Sequence, residues 1–510
     1  MMPIDASRVS AGIPRRVVVL LVLLCVCSFA VKLSIYRLTP NLGYPDETFQ
    51  YLEQAHRLVY GTGLVPWEFV TGIRSWLLPG LIAPGMAVTR LLGAGPETFL
   101  TINAALCAGL SLSAVVCGGL WGWRAAGFAG AVIAGTLNAF WFESVYYASH
   151  ALSEAIAADF LIAALYLGYP NLPAQTPRRL FLAGLCFGAV LDFRLQLGPA
   201  VAVALLAICR LRPRAYLAAG LGLLGPLLLL GLVDWISWGR PFQSALLYVW
   251  ANYSADVATH FGTSPWYQYP LWQAAYWSAA FPLIVPLALL GARRLPLLLL
   301  VALVVFGTHT LVPHKEPRFI FPAIPLLITL VGIGSAEILP RLLGPSARPT
   351  LIAASGALFW TITSGLLGAF GYFTPIWRAG EGMAAAMRAV DGHEASCGLA
   401  IYPSHLWWLS GGYTRLRPGI ALYGLDPDEP DAKAHAAAYT DIITISEEPL
   451  PTPSDFTEMG FDKETCWVNG GNRGPVCLWR RPGACSPQAA APLIGEVPSG
   501  LKGVVEQLKH

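Results

Sequence analysis

The chain has few charged residues for its length. Asp, Glu, Lys and Arg make up only 12% of its 510 residues, whereas a soluble globular protein carries about 25%. The apolar fraction is 55% and the mean hydropathy is +0.55, which places the chain among membrane proteins. The net charge is only +3 and no basic run with interleaved aromatic residues is present, so a nucleic-acid partner is excluded.

The ten cysteines have no spacing that resembles a zinc site. The sequence therefore predicts no cofactor and leaves only a divalent metal ion open. Six cysteines lie in apolar windows, where a small buried apolar residue is the expected role. The other four, Cys397, Cys466, Cys477 and Cys485, favour one or two disulfides in an oxidising compartment, with three possible full pairings.

Apolar windows close to the ~20 residues of a spanning helix recur along the first three quarters of the chain. We count about eleven: 17–35, 98–120, 125–141, 151–169, 180–193, 195–209, 215–236, 276–291, 296–312, 319–339 and 350–371. The first window follows Arg15 and Arg16 but lacks a convincing cleavage site, so we interpret it as a retained anchor and not as a signal peptide.

Arginines in the short connections predict the orientation, because positive residues stay on the cytoplasmic side. With the N-terminus inside, every alternate turn is short and basic, and the outer segments are 36–97, 142–150, 237–275, 313–318 and everything after about 372. The apolar stretch 76–93 contains Pro79, Gly80, Pro84 and Gly85. Counting it as a span would reverse the orientation of all later spans and place their basic turns on the outer side. We therefore predict a helix at the outer interface.

The chain changes character after the last apolar window. Residues 1–371 are predicted to form the membrane domain, with the outer loop 36–97. Residues 372–486 regain polar residues and short β-prone runs at 399–402 and 441–445, followed by a hairpin around 466–479, so they predict a small α/β domain on the outer face. Residues 487–510 are predicted to be a loosely ordered tail.

An acidic motif, Tyr44-Pro45-Asp46-Glu47, directly follows the first span. Pro45 favours a helix start, and three- and four-residue spacing would place Asp46, Glu47, Gln50 and Glu53 on about one face. A carboxylate there could accept a proton from a hydroxyl nucleophile, and this role is favoured for Asp46. For Glu53, an acidic first turn that complements the helix dipole is the preferred interpretation.

A basic motif, His314-Lys315-Glu316-Pro317-Arg318-Phe319, lies between two late spans on the predicted outer face. Lys315 and Arg318 would suit a lipid phosphate, because ammonium and guanidinium groups are natural partners of phosphate oxygens. The alternative is that their charges snorkel to the interface, or that Lys315 pairs with Glu316.

These motifs together resemble the dolichyl-phosphate-mannose-dependent α-mannosyltransferases, which build the GPI-anchor core and the arms of the N-glycan precursor. The resemblance runs in order over about residues 40–325. It rests on Pro-Asp-Glu at 45–47 with Leu-Glu-Gln-Ala-His-Arg at 52–57 and Gly61, on Trp-Glu at 67–68, on Gly-Ile-Arg-Ser at 72–75 with Pro79, on Phe-Gly-Thr-Ser-Pro-Trp-Tyr-Gln-Tyr at 261–269, and on the basic motif at 314–319.

The resemblance implies a GT-C fold, an all-α polytopic membrane protein with about eleven transmembrane helices and the small C-terminal α/β domain on the outer face. It implies inverting transfer of mannose from a polyprenyl-phosphate donor to a glycan or glycolipid acceptor. The carried-over residues are Asp46 and Glu47 for catalysis, Lys315, Arg318 and His314 for the donor phosphate, and Arg74, His260, Trp266, Tyr267 and Tyr269 for the substrate cavity. Tyr44 stands where the family commonly has His, and Pro317 where it usually has a second Glu, which leaves the acceptor open.

Two alternatives to the transferase follow from the same residues. A transporter or flippase for a lipid-linked sugar would also need many spans and a cation pair. Transporters tend to have internal repeats and charge near the middle of their spans, but no internal repeat is evident here, and charge crowds the outer edge except for Asp159 and Asp192 with Arg194. A catalytically inactive scaffold would require Asp46 to be dispensable.

Spans rich in Ala and Gly, with Arg preferred over Lys, favour a bacterial inner membrane, with the endoplasmic reticulum as the eukaryotic counterpart.

Overall fold

The computed structural model divides the chain into two compact units, each of which is discontinuous in sequence. The described residues are 12–170, 175–344, 346–426, 432–445, 454–470, 473–495, 497 and 501–508. The first unit comprises Met1–Ile35, Ala104–Phe242 and Ala251–Phe373. The second comprises Tyr36–Asn103, Gln243–Trp250 and Thr374–His510.

The first unit is helical. Its principal helices are Arg15–Leu38, Leu112–Phe140, Phe142–Tyr147, Ser153–Gly168, Pro177–Phe193, Gly198–Cys209, Pro213–Trp238, Gln268–Trp277, Phe281–Ala292, Pro296–Thr310, Ile324–Leu343 and Pro349–Phe370. Proline occupies the first position of several of them, where its missing N–H costs no intrahelical hydrogen bond and its fixed φ suits the helix. Pro177, Pro213, Pro296 and Pro349 are examples.

Each of the eleven apolar windows overlaps a helix. Among the described residues, six helical segments are long and apolar enough to cross a membrane: Arg15–Leu38, Pro96–Phe140, Pro213–Trp238, Gln268–Ala292, Pro317–Leu343 and Pro349–Phe370. Shorter apolar helices are Leu77–Leu91, Leu195–Cys209 and Pro296–Thr310. The structure thus supports a multi-pass membrane protein, and the number of crossings stays a prediction.

The helix Leu112–Phe140 is a tight helical hairpin. Ala126 and Gly127 leave the helical conformation, and Gly127 adopts a φ of 70°, which only glycine tolerates without strain. The two arms are so close that a Cβ at Gly122 would lie 2.1 Å from the carbonyl oxygen of Gly130. The sequence predicts a turn at Arg124, between the apolar windows 98–120 and 125–141. The structure has this turn two residues later, at Ala126 and Gly127.

The second unit combines helices with a five-stranded sheet. Its principal helices are Glu53–Tyr60, Trp67–Thr71, Leu77–Leu91, Thr374–Trp377, Glu381–Asp391, Ala432–His435, Ser454–Glu458 and Lys502–Leu508. The strands are β1 (Gly398–Tyr402), β2 (Ala421–Gly424), β3 (Asp441–Ile445), β4 (Asp462–Asn469) and β5 (Arg473–Arg480). Their order is β2-β1-β3-β5-β4, with β1 parallel to β2 and β3, and β5 antiparallel to β3 and β4. The predicted small C-terminal sheet domain with its hairpin is thus present.

Residues from both ends of the second unit form one hydrophobic core. Leu42, Phe49 and Leu64 from the segment 36–97 pack with Met383, Leu399 and Ile443 in the same buried cluster. The ring centroid of Phe49 lies 4.9 Å from that of Trp407. Burial of apolar area is the main favourable contribution to folding, so these distant segments stabilise each other.

Two disulfides join the C-terminal part of this unit, Cys397–Cys485 and Cys466–Cys477. They realise one of the three pairings that the sequence left open. The predicted loosely ordered tail is packed where it is described: Leu501 and Val505 are buried, and the Leu493 amide donates to the Leu422 carbonyl at 2.7 Å. Apolar residues spaced four apart on a short helix explain the difference.

Candidate active site

The acidic motif begins a helix in the second unit, as predicted from Pro45. The first turns are not α-helical, because Glu47–Leu52 forms a π-helix before the α-helix Glu53–Tyr60 starts. A π-turn is wider than an α-turn and often marks a functional site. Asp46 immediately precedes this π-helix, and Glu47 is buried within it.

Gln50 and Glu53, which three- and four-residue spacing predicts on one face, have different hydrogen-bond partners. Their common face stays a prediction. Glu53 is fully buried and accepts hydrogen bonds from the amides of Leu64 at 2.9 Å, Tyr413 at 3.1 Å and Thr414 at 3.0 Å. The Thr414 hydroxyl donates a fourth at 2.7 Å. Glu53 therefore connects two distant segments of the second unit.

A second carboxylate, Glu68, belongs to the surroundings of Asp46. The Gln50 amide donates to Glu68 Oε1 at 2.8 Å. Burial is the main reason why the pKa of Glu68 is raised to about 7; the charge of Asp46 adds to the increase, whereas Arg74 opposes it. The Arg74 guanidinium lies 5.5 Å from the ring centre of Tyr248. The structure thus brings Asp46 and Arg74 into one charged group and adds Glu68, which the sequence prediction left out.

The basic motif forms a compact group in the first unit. His314 uses both ring nitrogens: Nδ1 lies 3.2 Å from the Gly262 carbonyl oxygen and Nε2 lies 3.2 Å from Glu316 Oε1. The hydrogen bond to Glu316 is the main cause of a raised His314 pKa. Lys315 is buried and donates to the carbonyls of Val312 at 2.5 Å and Ser264 at 3.2 Å, and burial lowers its pKa.

Arg318 is also buried, and it lies among carboxylates. Its Nε and Nη2 each donate to Glu316 at 2.9 Å, which is the bidentate geometry that guanidinium groups favour. Glu154, at the start of the helix Ser153–Gly168, lies 3.6 Å from Arg318 Nε and 3.2 Å from Arg194 Nη2. The guanidinium carbon of Arg194 is 4.6 Å from the ring centre of Phe319.

The aromatic motif at 260–269 is divided between surface and interior. Trp266 and Tyr267 are 70% and 50% exposed, and their rings pack edge to face with centroids 5.8 Å apart. Tyr269 is fully buried, with its ring centre 5.9 Å from Lys315 Nζ. His260 is exposed and lies in the last turn of the short helix Val257–Phe261. Only Tyr269 of these four therefore lies directly against the basic motif.

Sequence reasoning missed Glu68, Glu154 and Arg194 as members of these groups. Arg194 carried a signal, because a charged residue inside an apolar region is costly and is commonly functional. Glu68 belongs to the Trp-Glu pair at 67–68 that the resemblance includes, but it was given no role. Glu154 lacks a distinctive local pattern, since its partners are distant in sequence. Across the described part of the chain, no three His, Cys, Asp or Glu side chains are placed to hold a metal ion.

Comparison with known proteins gives consistent results. The sequence model of the Alg9-like mannosyltransferase family matches residues 21–391. GPI mannosyltransferase 3 of Yarrowia lipolytica is 29% identical over 344 residues, which cover 60% of each chain. GPI alpha-1,2-mannosyltransferase 3 of Mus musculus is 26% identical over 317 residues, covering 58% of this chain and 55% of the mouse protein. The chain therefore spans less than two thirds of these relatives.

A solved structure shares the fold. ArnT from Cupriavidus metallidurans, determined with undecaprenyl phosphate bound, superimposes with a TM-score of 0.56 over 92% of this chain and 99% of that chain. The sequence identity is 14%, so the likeness concerns the fold alone.

Proposed function

Because the chain belongs to the Alg9-like mannosyltransferase family, we propose that it transfers a mannose from a polyprenyl-phosphate donor to a hydroxyl of a glycan or glycolipid acceptor. The family match confirms the resemblance drawn from the motifs. The observation that carries the proposal is the composition of the basic group, in which two buried cations, Lys315 and Arg318, stand in the motif that the family shares.

The proposed reaction needs a base for the acceptor hydroxyl, and we assign this role to Asp46. The hydroxyl oxygen attacks the anomeric carbon as its proton passes to the Asp46 carboxylate, and the bond from that carbon to the phosphate oxygen breaks with inversion. Asp46 stands at the entry to a π-helix, close enough to Arg74 and Glu68 for their charges to interact. Glu68, with its pKa raised to about 7, exchanges a proton readily near neutral pH.

The leaving group carries negative charge into the transition state, and we assign its stabilisation to Lys315 and Arg318. Charge-assisted hydrogen bonds to phosphate are among the strongest in proteins, and fixed donors stabilise developing charge at no reorganisation cost. The hydrogen bond to Glu316 raises the pKa of His314, which favours its cationic form beside the phosphate. Trp266 and Tyr267 offer exposed rings for sugar stacking.

The transporter alternative has no support from the comparisons. We place the reaction on the non-cytoplasmic face of a bacterial inner membrane, on the strength of the arginine distribution and the residue composition. Lipid of the undecaprenyl phosphate class, which ArnT was found to bind, is the donor carrier that we expect in such a membrane. The acceptor stays open at the level of a glycan or glycolipid.

The test is a transfer assay on the full-length protein in lipid nanodiscs with a synthetic β-linked polyprenyl-phosphate mannose. Asp46→Asn keeps the shape of the side chain and removes its proton-accepting charge, so we expect turnover to fall by about 10²–10⁴-fold with donor binding retained. Asp462→Asn, at an exposed strand position of the same unit, serves as the matched control. Near wild-type turnover of Asp46→Asn would show that the base lies elsewhere.

A further inference from the structure

Arg318 has two carboxylate partners that differ sharply in burial. The side chain of Glu316 is 28% exposed, whereas that of Glu154 is only 2% exposed and that of Arg318 only 5%. Glu316 makes the shorter, bidentate contact at 2.9 Å, and Glu154 approaches Arg318 Nε at 3.6 Å. An incoming anion can replace a partly exposed carboxylate more easily than one enclosed by protein. Glu316 is therefore the exchangeable partner of Arg318, and Glu154 is the fixed one.

Glu154 also holds a second guanidinium in place. Arg194 Nη2 lies 3.2 Å from Glu154 Oε1, and the Arg194 side chain is 6% exposed. The two arginines flank the ring of Phe319, at 4.6 Å for Arg194 and 5.3 Å for Arg318. One buried carboxylate and one aromatic ring thus hold both guanidinium groups, which come from elements far apart in sequence.

Several buried polar atoms around Glu154 have no hydrogen-bond partner. Within the described part of the chain, they include Arg194 Nε, His309 Nε2, Tyr269 Oη and Glu154 Oε1, whose contacts with Arg194 and Arg318 are ion pairs and not hydrogen bonds. Buried polar atoms without a partner are rare in native structures and call for an explanation. An anionic group bound beside the two arginines would supply an acceptor for Arg194 Nε.

We infer that Glu154 is a positioning residue for the lipid phosphate of the donor, acting by fixing Arg318 and Arg194 while the phosphate takes the place of Glu316. The inference rests on the proposed function. Glu154 itself does not contact the phosphate, because two negatively charged groups would repel each other. Its role is to keep the Arg318 guanidinium in the orientation that a bidentate phosphate contact requires.

A purely electrostatic effect of Glu154 would act in the opposite direction. As a negative charge beside Arg318, Glu154 weakens the attraction for phosphate, so its neutralisation alone would tighten phosphate binding. Positioning predicts weaker binding on neutralisation, because the guanidinium would lose its fixed orientation. The sign of the change in affinity therefore separates the two explanations.

The experiment measures binding of undecaprenyl phosphate, which carries no sugar, to the full-length protein in nanodiscs, together with donor kinetics. We expect Glu154→Gln to raise the dissociation constant and the donor KM by about tenfold, the loss that follows when one charge-assisted hydrogen bond is misplaced. We expect kcat to change much less. Glu154→Asp keeps the charge on a shorter side chain and should show the same direction. Glu337→Gln, which removes the partner of Arg294 at 2.5 Å in the same unit, is the matched control.

Unchanged or tighter binding of undecaprenyl phosphate by both Glu154 variants would overturn the inference. Equal losses in kcat and affinity, accompanied by a melting temperature well below that of Glu337→Gln, would also overturn it and assign Glu154 a structural role. If Glu154→Gln does not fold, Arg194→Lys replaces it, with the same expected rise in donor KM. A wild-type protein that neither binds undecaprenyl phosphate nor transfers mannose would refute the proposed function itself, whatever the variants do.

Discussion

Replacement of Glu53 tests whether this carboxylate supports the fold or the chemistry. Its two oxygens accept four hydrogen bonds, from three backbone amides and the Thr414 hydroxyl. Glu53→Ala leaves the amides of Leu64, Tyr413 and Thr414 without their acceptor in a buried place. Each unsatisfied donor costs about 1–3 kcal/mol, and partial entry of water reduces the sum. We expect the free energy of unfolding to fall by about 3–5 kcal/mol.

Glu53→Gln gives a graded version of the same experiment. The amide oxygen can still accept two of the hydrogen bonds, but the amide nitrogen is a donor and faces the remaining donors. We expect a loss of about 1–3 kcal/mol, so the melting temperature in detergent should fall in the order wild type, Gln variant, Ala variant. A shift of about 2–4 °C per kcal/mol is expected for a domain of this size. Asp462→Asn, at an exposed strand position of the same unit, should melt like the wild type.

The result that would refute this reasoning is a Glu53→Gln protein with an unchanged melting temperature and a strongly reduced kcat. That combination would make Glu53 part of the reaction and would reopen the choice of base. A lower melting temperature with near-normal kcat at low temperature would support the structural role.

Three other predictions concern different parts of the chain. Lys315→Ala and Arg318→Ala should each raise the donor KM by about tenfold or more, because each removes a charge-assisted contact worth about 1.5–3 kcal/mol; wild-type kinetics in both would remove the phosphate role. The pKa of Glu68 is raised from its usual value to about 7, so the folded protein binds the proton more tightly and stability falls as pH rises from about 4.5 to about 7. Glu68→Gln should lack this decline, so the difference between its melting temperature and that of the wild type should increase from pH 5 to pH 8. Equal dependence of the two melting temperatures on pH would contradict the raised pKa of Glu68. Cys397→Ser removes a disulfide between residues 88 apart in sequence, and Cys466→Ser removes one between residues 11 apart. The free energy of unfolding, measured with a chemical denaturant, should therefore fall by about 2 kcal/mol more for Cys397→Ser.

The sequence predicted the elements whose signal is local. Strand β3 was predicted at 441–445 and is observed at Asp441–Ile445, because its run of β-branched residues has no competing interpretation. The strand β2, Ala421–Gly424, was missed, since four residues with little β-branching give no such pattern. The helix start at Pro45 was found, but the π-helix after it was not, because ordinary helical periodicity assumes 3.6 residues per turn.

The candidate site divides in the same way. Asp46, Lys315 and Arg318 belong to short motifs that survive as sequence patterns, so they could be named before the structure. Glu154 and Arg194 become members of the basic group only through contacts across long stretches of chain. No local rule predicts such pairings, since they depend on which helix ends meet.

The shared core of the second unit has a consequence for how the protein is made. Glu53 and Thr414 are 361 residues apart in sequence, and ribosomes add about 5–20 residues per second. The segment 36–97 therefore leaves the ribosome about 20–70 s before the strands that will cover Leu42, Phe49 and Leu64. During that interval its apolar side chains are open to other proteins, so this segment is the part of the newborn chain that we expect to depend most on a chaperone.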